Sequence, residues 1–286
     1  MTNAAPPPIL SGLSEIADDY DVAICDVWGV IHNGRDAYLS AADAMRRFRV
    51  ERGPVVLLSN APRLADGVEY LFKRIGVPFD FYDAIVTGGA AARAELVART
   101  AGGKELSLFY LGPERDHPLF EGLPLRMTDA DQAEAVLCTG LYDDETEAPD
   151  DYRPLLKTFR ARKLEFLCAN PDIVVQRGDR LIYCAGAIAK LYETMGGKAI
   201  YYGKPHTPVF EMALAHAREK GPARRPLVIG DGIGTDILGA NRMGWDALFV
   251  AGGIHSTELK ERPGSIEELL SREAVAVRAM MPELRW

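Results

Sequence analysis

Four short segments of the chain carry side chains that could act together on a phosphoryl group. They contain, in chain order, Asp26 and Trp28, then Ser59 and Asn60, then Lys204, and finally Asp231 and Asp236. Each segment follows a short apolar run of strand length. Phosphoryl transfer needs a nucleophile, a cation that screens the oxygens, and donors aimed at the charge that three oxygens share. The four segments offer a side chain for each of these needs.

Asp26 is the candidate nucleophile, because a carboxylate that attacks phosphorus divides hydrolysis into two easier steps through an aspartyl-phosphate. We expect Asp231 and Asp236 to approach Asp26. Three carboxylates at close range cannot all stay ionised without a cation. Oxygen ligands of this kind suit Mg²⁺, which keeps several of its waters. The sequence therefore predicts a magnesium site at these residues.

The other candidates would hold the phosphate. Ser59 would use its hydroxyl and the neighbouring backbone N–H groups, including that of Asn60, and Lys204 would neutralise charge as a point cation. The glycines within residues 230–234 let the backbone approach closely before a helix that begins near Thr235. Taken singly, these residues also fit a turn, a loop start, a solvated lysine or a glycine turn. Their shared position after apolar runs favours one common site.

The elements that must position these side chains are short strands alternating with helices. Apolar runs predict strands at residues 22–25, 55–58, 85–86, 106–110, 135–138, 165–168, 199–202, 227–229 and 247–250. Ser40 and Asp43 predict a capped helix start, and the spacing from Val68 to Ile75 predicts a helix that ends before Gly76. The alternation predicts a parallel sheet and an α/β fold. Ligands of such sheets collect at the carboxyl ends of the strands, where the four segments lie.

Composition excludes several classes of protein. The 286 residues are 48% hydrophobic, which suffices for a large core, and the net charge is −8. An acidic run from Asp129 to Asp151, without Lys or Arg, argues against a nucleic-acid partner and is predicted to be a solvated face. No apolar run approaches the roughly 20 residues of a membrane span, so we expect a cytoplasmic protein with no membrane partner. The single cysteines are predicted to be small core residues in a reducing compartment, at Cys25, Cys138, Cys168 and Cys184.

Together the four segments resemble the motifs of the haloacid dehalogenase superfamily, and within it the class IIA branch of p-nitrophenyl-phosphatase-like and sugar- or nucleotide-phosphate hydrolases. Asp26 matches the first motif, Ser59 the second, Lys204 the lysine motif, and residues 230–236 the acidic motif. The resemblance covers nearly the whole chain. It implies a Rossmann-like core of residues 1–86 and 187–286, with a mobile α/β cap of the C2 type inserted at residues 87–186.

The resemblance also implies residue roles. Mg²⁺ would be held by Asp26, by the backbone carbonyl of Trp28 and by Asp231, with Asp236 acting through water. Asn170 and Asp172 would belong to a cap motif that faces the substrate, and an Asn-Pro turn after a strand is the open alternative. The implied function is a Mg²⁺-dependent phosphomonoesterase acting on a small phosphorylated metabolite, either a sugar phosphate or a nucleotide. A homodimer is left open.

One position departs from the family's pattern. Phosphatases of this family usually carry a second Asp two residues after the nucleophile, where it protonates the leaving oxygen, and this chain has Trp28 there. An indole has no proton to exchange at neutral pH, and losing a general acid typically costs about 10² to 10⁴-fold in rate. His32 and His206 are candidate replacements, with surface or packing histidines as the alternative. Trp28 itself would either fill the space against the cap or change the reaction that the site performs. A dehalogenase and a non-catalytic metabolite sensor therefore stay open beside the phosphatase.

Overall fold

Short apolar strands separated by helices form two parallel sheets in the computed structural model, which describes residues 7–177, 180–262 and 265–286. The strands are β1 Val22–Asp26, β2 Val55–Ser59, β3 Ala84–Thr87, β4 Leu106–Leu111, β5 Leu125–Met127, β6 Ala135–Cys138, β7 Glu165–Cys168, β8 Val174–Arg177, β9 Arg180–Tyr183, β10 Lys198–Tyr201, β11 Pro226–Gly230, β12 Asp246–Val250 and β13 Ala279–Met281. The helices are α1 Leu39–Glu51, α2 Ala65–Ile75, α3 Gly88–Arg99, α4 Arg153–Ala161, α5 Ala185–Thr194, α6 Thr207–Lys220, α7 Leu238–Met243, α8 Ser256–Glu261 and α9 Ser265–Arg272. The predicted α/β class is confirmed, and each predicted strand is present within about one residue at either end.

The first sheet has the strand order β13-β12-β11-β1-β2-β3, and β1 pairs in parallel with both β11 and β2. Every residue of β1, β2 and β11 is buried, as expected for parallel strands that are covered on both faces and read as continuous apolar runs. In the register, Asp26 lies opposite Leu58 and Cys25 opposite Ile229. The three strands therefore end at the same edge, where Asp26 and Ser59 are the last residues of their strands.

The second sheet has the order β10-β7-β6-β4-β5, and its neighbouring strands also pair in parallel. A two-stranded antiparallel hairpin of β8 and β9 follows it. One face of the sheet packs into a cluster that includes Phe159, Phe166 and Tyr192, all fully buried. The hydroxyl of Tyr192 donates to the backbone carbonyl of Leu164 at 2.7 Å, so this buried polar group has a partner.

The chain divides into two compact units. The core unit comprises residues 1–59, 69–86 and 204–286, and the inserted unit comprises residues 60–68 and 87–203. The inserted unit ends at residue 203, whereas the sequence led us to expect an end near residue 186, a position that lies inside α5. Strand β10 pairs with β7 and so extends the second sheet, which keeps α5 and β10 in the inserted unit.

The predicted start of α1 was wrong. The helix begins at Leu39, so Ser40 lies inside it, and Tyr38 is the residue that precedes the first turn. Asp43 does not close a capping box, because its carboxylate pairs with Arg46 one turn later, at 3.2 Å.

The prediction of buried cysteines is confirmed, since all four are buried and unbridged. Within the described ranges, no helix combines the length and the apolar character that a membrane span needs.

Candidate active site

A cluster of three buried carboxylates lies in the core unit. Asp26 ends β1, Asp231 follows β11, and Asp236 lies in the π-helical turn Ile233–Ile237. One oxygen of each carboxylate lies within 4.8 Å of those of the other two. Burial, and then repulsion from Asp26 and Asp236, hold the pKa of Asp231 well above its usual value. Burial and the charge of Asp26 raise the pKa of Asp236 to about 6. A cation among the three would relieve this repulsion.

Lys204 links two of these carboxylates. Its ammonium group donates to Oδ1 of Asp26 and, at 2.6 Å, to Oδ1 of Asp236. Burial alone would lower the pKa of Lys204, but the charges of Asp236 and Asp26 outweigh it and the pKa lies above its usual value. Lys204 is therefore charged at neutral pH. With all groups ionised, the three carboxylates and the lysine carry −3 + 1 = −2, which a divalent cation would balance.

Backbone N–H donors hold two of the three carboxylates in place. The Ile254 N–H donates to Oδ2 of Asp231 at 2.7 Å, and the Gly232 N–H donates to Oδ2 of Asp236 at 3.1 Å. The loop after β1 also reaches the cluster, because a Cβ on Gly29 would lie 2.0 Å from Oδ2 of Asp231. Gly29 has φ +90°, a conformation that favours glycine. The segment that carries Trp28 therefore borders the carboxylates.

Ser59 and Asn60 are consecutive in the chain and both are buried. Ser59 ends β2 in the core unit, whereas Asn60 belongs to the inserted unit. The side-chain amide of Asn60 donates to Oδ1 of Asp172 at 2.8 Å. Oδ1 of Asn170 accepts from the Asp172 N–H at 3.0 Å. The predicted phosphate ligand Asn60 and the predicted cap residues thus meet in the inserted unit. The geometry at Asn170 is that of the Asn-Pro turn, and a substrate role for Asn170 and Asp172 stays a prediction.

His32 packs in the loop after β1. It is 1% exposed, its ring lies 5.1 Å from that of Trp28 and 5.8 Å from that of Phe72, and its Nδ1 accepts from the Gly34 N–H at 2.9 Å. Burial lowers the pKa of His32 to about 4, so the ring is neutral at pH 7. These contacts favour the packing alternative over a catalytic acid.

His206 occupies the N-cap position of α6, where its side chain makes no capping hydrogen bond, and it is partly exposed. Burial, and then the charge of Arg242, lower the pKa of His206. Its role as a replacement acid, and the role of the Trp28 carbonyl as a metal ligand, stay predictions.

Some residues of the site and of the inserted unit gave no signal in the sequence. Ile254 acts through its backbone N–H, which no side-chain pattern can indicate. In the inserted unit, Arg63 pairs with the 2%-exposed carboxylate of Asp116 at 3.0 Å. Burial raises the pKa of Asp116. The two residues are 53 positions apart, so only the folded inserted unit brings them together.

The fold and this cluster define an α/β protein with a parallel-sheet core, an inserted second unit and a buried carboxylate site. Residues 23–123 match a family model described as haloacid dehalogenase-like hydrolase, and residues 201–270 match a related hydrolase-like model. A hydrolase of the haloacid dehalogenase-like family from Brucella suis is 38% identical with a TM-score of 0.85, covering 96% of this chain and 100% of that chain. The chain belongs to the haloacid dehalogenase-like hydrolase family.

Named phosphatases are among the similar proteins. Ribonucleotide monophosphatase NagD of Escherichia coli is 27% identical over 244 residues, covering 82% of this chain and 89% of that protein. A glycerol phosphate phosphatase from Mycobacterium tuberculosis, solved in complex with magnesium, is 25% identical with a TM-score of 0.63, covering 84% of this chain and 70% of that chain. The predicted superfamily and its class IIA phosphatase branch are confirmed.

Proposed function

We propose that this chain is a Mg²⁺-dependent phosphomonoesterase acting on a small phosphorylated metabolite, either a sugar phosphate or a nucleotide. The observation that carries the proposal is the buried cluster of three carboxylates bridged by Lys204. The similar proteins support it, because they are named as phosphatases of a ribonucleotide and of glycerol phosphate.

The donor set fits Mg²⁺. It consists of carboxylate oxygens whose combined charge with Lys204 suits a divalent cation, and hard oxygen ligands are those that Mg²⁺ prefers. Asp26, Asp231 and the backbone carbonyl of Trp28 would hold the ion, with Asp236 acting through water. When bound, Mg²⁺ would neutralise charge on the phosphate oxygens. A magnesium complex of the glycerol phosphate phosphatase adds support.

Asp26 would carry the reaction in two displacements. A carboxylate oxygen of Asp26 attacks phosphorus, the new oxygen–phosphorus bond forms, and the ester bond breaks to release an alcohol that takes up a proton. Water then attacks the aspartyl-phosphate, which releases inorganic phosphate and restores the carboxylate. Lys204 binds Oδ1 of Asp26 and would neutralise negative charge as the bonds change. Ser59 would donate to the phosphate.

Phosphate release from a panel of sugar phosphates and nucleotides tests the proposal. We expect Mg²⁺-dependent turnover by the wild-type chain, its loss on chelation, and background rates for Asp26→Asn, which keeps the shape of the side chain without its charge. Mass spectrometry of acid-quenched enzyme should find the phosphoryl group on Asp26. A wild-type rate no higher than that of Asp26→Asn on every ester would contradict the proposal.

Trp28 gives a specific reason to keep a second candidate, a metabolite-binding protein without turnover. Tight binding of a phosphorylated metabolite, no catalysis, and no rescue in Trp28→Asp would support it. Halide release without Mg²⁺ would instead support a dehalogenase, against which Asp231 and Lys204 argue.

We also propose a cytoplasmic location, which the unbridged cysteines support. A homodimer stays a prediction that light scattering would check.

A further inference from the structure

Asp231 is held differently from the other two carboxylates of the cluster. Asp26 and Asp236 each pair with Lys204. Among the residues that the structure describes, the one hydrogen bond to Asp231 comes from the Ile254 N–H, which donates to Oδ2 at 2.7 Å. Asp231 is only 6% exposed. The orientation of its buried carboxylate therefore depends on the backbone groups around it.

Two loops lie directly against the Oδ2 atom of Asp231. A Cβ on Gly253, in the loop after β12, would lie 1.9 Å from Oδ2, and a Cβ on Gly29, in the loop after β1, would lie 2.0 Å from it. Gly253 has a φ outside the left-handed region, so it is the close approach to Asp231 that requires a glycine there. Together with the Ile254 N–H, the backbones of the two glycines enclose Oδ2.

The loop after β12 is itself held in place by the C-terminal segment. The N–H groups of Ala251 and Gly252 donate to the carbonyls of Met281 and Pro282, at 2.9 and 2.8 Å. A Cβ on Gly252 would lie 2.4 Å from the carbonyl oxygen of Pro282. The loop is thus packed between the end of β13 and Asp231.

Residues 253–256 of this loop form a type I β-turn. The Gly253 carbonyl accepts from the Ser256 N–H at 2.9 Å, and His255, the third residue, has φ −91° and ψ 2°. Such a turn closes through the N–H of its fourth residue. The N–H of the second residue, Ile254, can therefore donate to Asp231 without weakening the turn.

An enclosed Oδ2 limits how Asp231 can bind a cation. Mg²⁺ requires near-ideal octahedral geometry, whereas Ca²⁺ takes about six to eight oxygens and binds a carboxylate through one oxygen or both. Selectivity between the two ions depends on the number and the flexibility of the ligands. A carboxylate that is fixed in one orientation, with one oxygen enclosed by backbone, therefore favours Mg²⁺.

We propose that Gly253 and Ile254 are positioning residues, which make Asp231 a ligand through one oxygen and so cause the site to select Mg²⁺ over Ca²⁺. The inference rests on the proposed function, in which Asp231 holds the ion, and it adds the residues that determine which cation binds. The alternative is that the loop after β12 only supports the fold.

Calorimetric titrations of the full chain with Mg²⁺ and with Ca²⁺ test the inference without requiring turnover. Ile254→Pro removes the N–H and fits the turn, because proline is favoured at its second position. Loss of a partner that orients a metal ligand typically weakens metal binding by about 10- to 100-fold. We expect this loss for Mg²⁺ and a smaller one for Ca²⁺, whose flexible coordination tolerates a reoriented carboxylate. The Kd for Ca²⁺ divided by the Kd for Mg²⁺ should therefore fall.

Gly253→Ala is the second variant, because its methyl group would displace Oδ2 of Asp231 and should lower the same ratio. Ile254→Val is the conservative variant, which keeps the N–H and should restore the wild-type ratio. Gly221→Ala is the matched glycine control, since its Cβ would meet Pro54 at an ordinary 3.5 Å. Melting curves in the presence of a chelator verify that each variant is folded.

An unchanged ratio in Ile254→Pro and in Gly253→Ala would overturn the inference. Equal weakening of both cations in these variants would overturn it as well. Either result would show that the loop after β12 only supports the fold.

The phosphate-ester panel separates the two proposals. Mg²⁺-dependent turnover, with a ratio that neither substitution changes, overturns only the inference. A ratio that falls in both variants, without turnover of any ester, overturns the phosphatase proposal and leaves the positioning role standing. If wild-type protein binds Ca²⁺ as tightly as Mg²⁺, or binds neither ion, the inference fails whatever the panel shows.

Discussion

Lys204 is the residue on which the electrostatics of the site depend. Its ammonium group is buried between Asp26 and Asp236, and no hydrophobic side chain of similar size could balance both carboxylates. Breaking a buried ion pair by removing one partner costs about 3–5 kcal/mol, because the other charge stays buried without compensation. The stabilisation by Lys204 is complete below its unfolded pKa of about 10.4, since its folded pKa is raised.

Lys204→Met should therefore lower the free energy of unfolding by about 3–5 kcal/mol at pH 8 in the presence of a chelator. The loss should shrink toward pH 5, because the uncompensated carboxylates can then take up protons. Denaturant titrations at both pH values would measure it. Lys198→Met is the control, because Lys198 is 70% exposed and pairs with Glu165 at the surface. Similar small losses in the free energy of unfolding for both variants would show that the stability of the cluster does not depend on Lys204.

The size of the neighbouring Trp28 side chain favours a glycine at position 34. Gly34→Ala should cost more than the strain of a positive φ alone, because the added methyl would overlap Trp28. Overpacking typically adds about 1–3 kcal/mol. Gly76→Ala supplies the comparison, since Gly76 has φ +77° and nothing within 4 Å of its added Cβ. The free energy of unfolding of Gly34→Ala should be lower than that of Gly76→Ala by that amount. Adding Trp28→Leu to Gly34→Ala should restore the lost stability. Equal costs at both glycines would mean that the indole is free to move away.

Among the elements, the acidic segment of the inserted unit differs most from expectation. Most of the acidic side chains between Asp129 and Asp151 are exposed, as predicted, although β6 within this run is buried, and Asp144 is only 11% exposed. Arg115 contacts Asp144 at 2.5 Å and Arg177 contacts it at 3.0 Å. These contacts connect a loop, a helical turn and the β8–β9 hairpin. Part of the run therefore anchors the hairpin that follows Asp172.

Asp144→Asn should destabilise the inserted unit by about 1–2 kcal/mol at pH 7, less than for a fully buried pair because both arginines are partly exposed. Burial opposes ionisation of Asp144, but Arg177 and Arg115 outweigh it and its pKa is lowered. Its contribution is therefore full above the unfolded pKa of about 3.9 and is lost as the pH falls through the lower folded pKa. Urea titrations from pH 7 to pH 3 should show the wild-type advantage disappearing only at the acid end.

Asp150→Asn removes a carboxylate that is 73% exposed and should change little. A pH-independent effect of Asp144→Asn would contradict the electrostatic explanation.

At the scale of the whole molecule, the candidate metal ligands and the second sheet belong to different units. Asp26, Asp231 and Asp236 all lie in the core unit, whereas the cluster around Phe159 lies in the inserted unit. Each unit has its own sheet and buried core, so ligand binding and core mutations should affect them separately.

Mg²⁺ should raise the melting temperature of the core unit by mass action, equivalent to about 2.7 kcal/mol at a concentration one hundred times Kd. Calorimetric scans would measure this shift. It should vanish in Asp231→Asn, which removes one charged ligand. Phe159→Ala truncates a core side chain and should lower the free energy of unfolding of the inserted unit by about 3–5 kcal/mol. The unfolding transition that shifts in this variant is therefore that of the inserted unit. A Mg²⁺ shift that survives in Asp231→Asn would place the ion elsewhere.

The sequence alone determined the α/β class, the strands and the residues that meet at the core edge. Buried parallel strands must be continuous apolar runs, and their carboxyl ends must share one edge, so Asp26, Ser59 and Asp231 could be grouped without coordinates. The local sequence pattern was less informative about helix starts, because a side chain that could cap a helix can also pair with other residues. The predicted start at Ser40 is an example, since α1 begins one residue earlier without the predicted capping box.

Features that depend on contacts between residues far apart in the chain were decided only by the tertiary structure. Strand β10 joins the second sheet because β7 offers it an edge, which moved the boundary of the insertion from 186 to 203. The backbone N–H of Ile254 binds Asp231, and backbone donors leave no mark in a sequence. The sequence marked Trp28 as a departure, but its fixed position depends on His32 and Gly34, which surround the indole only once the loop has closed.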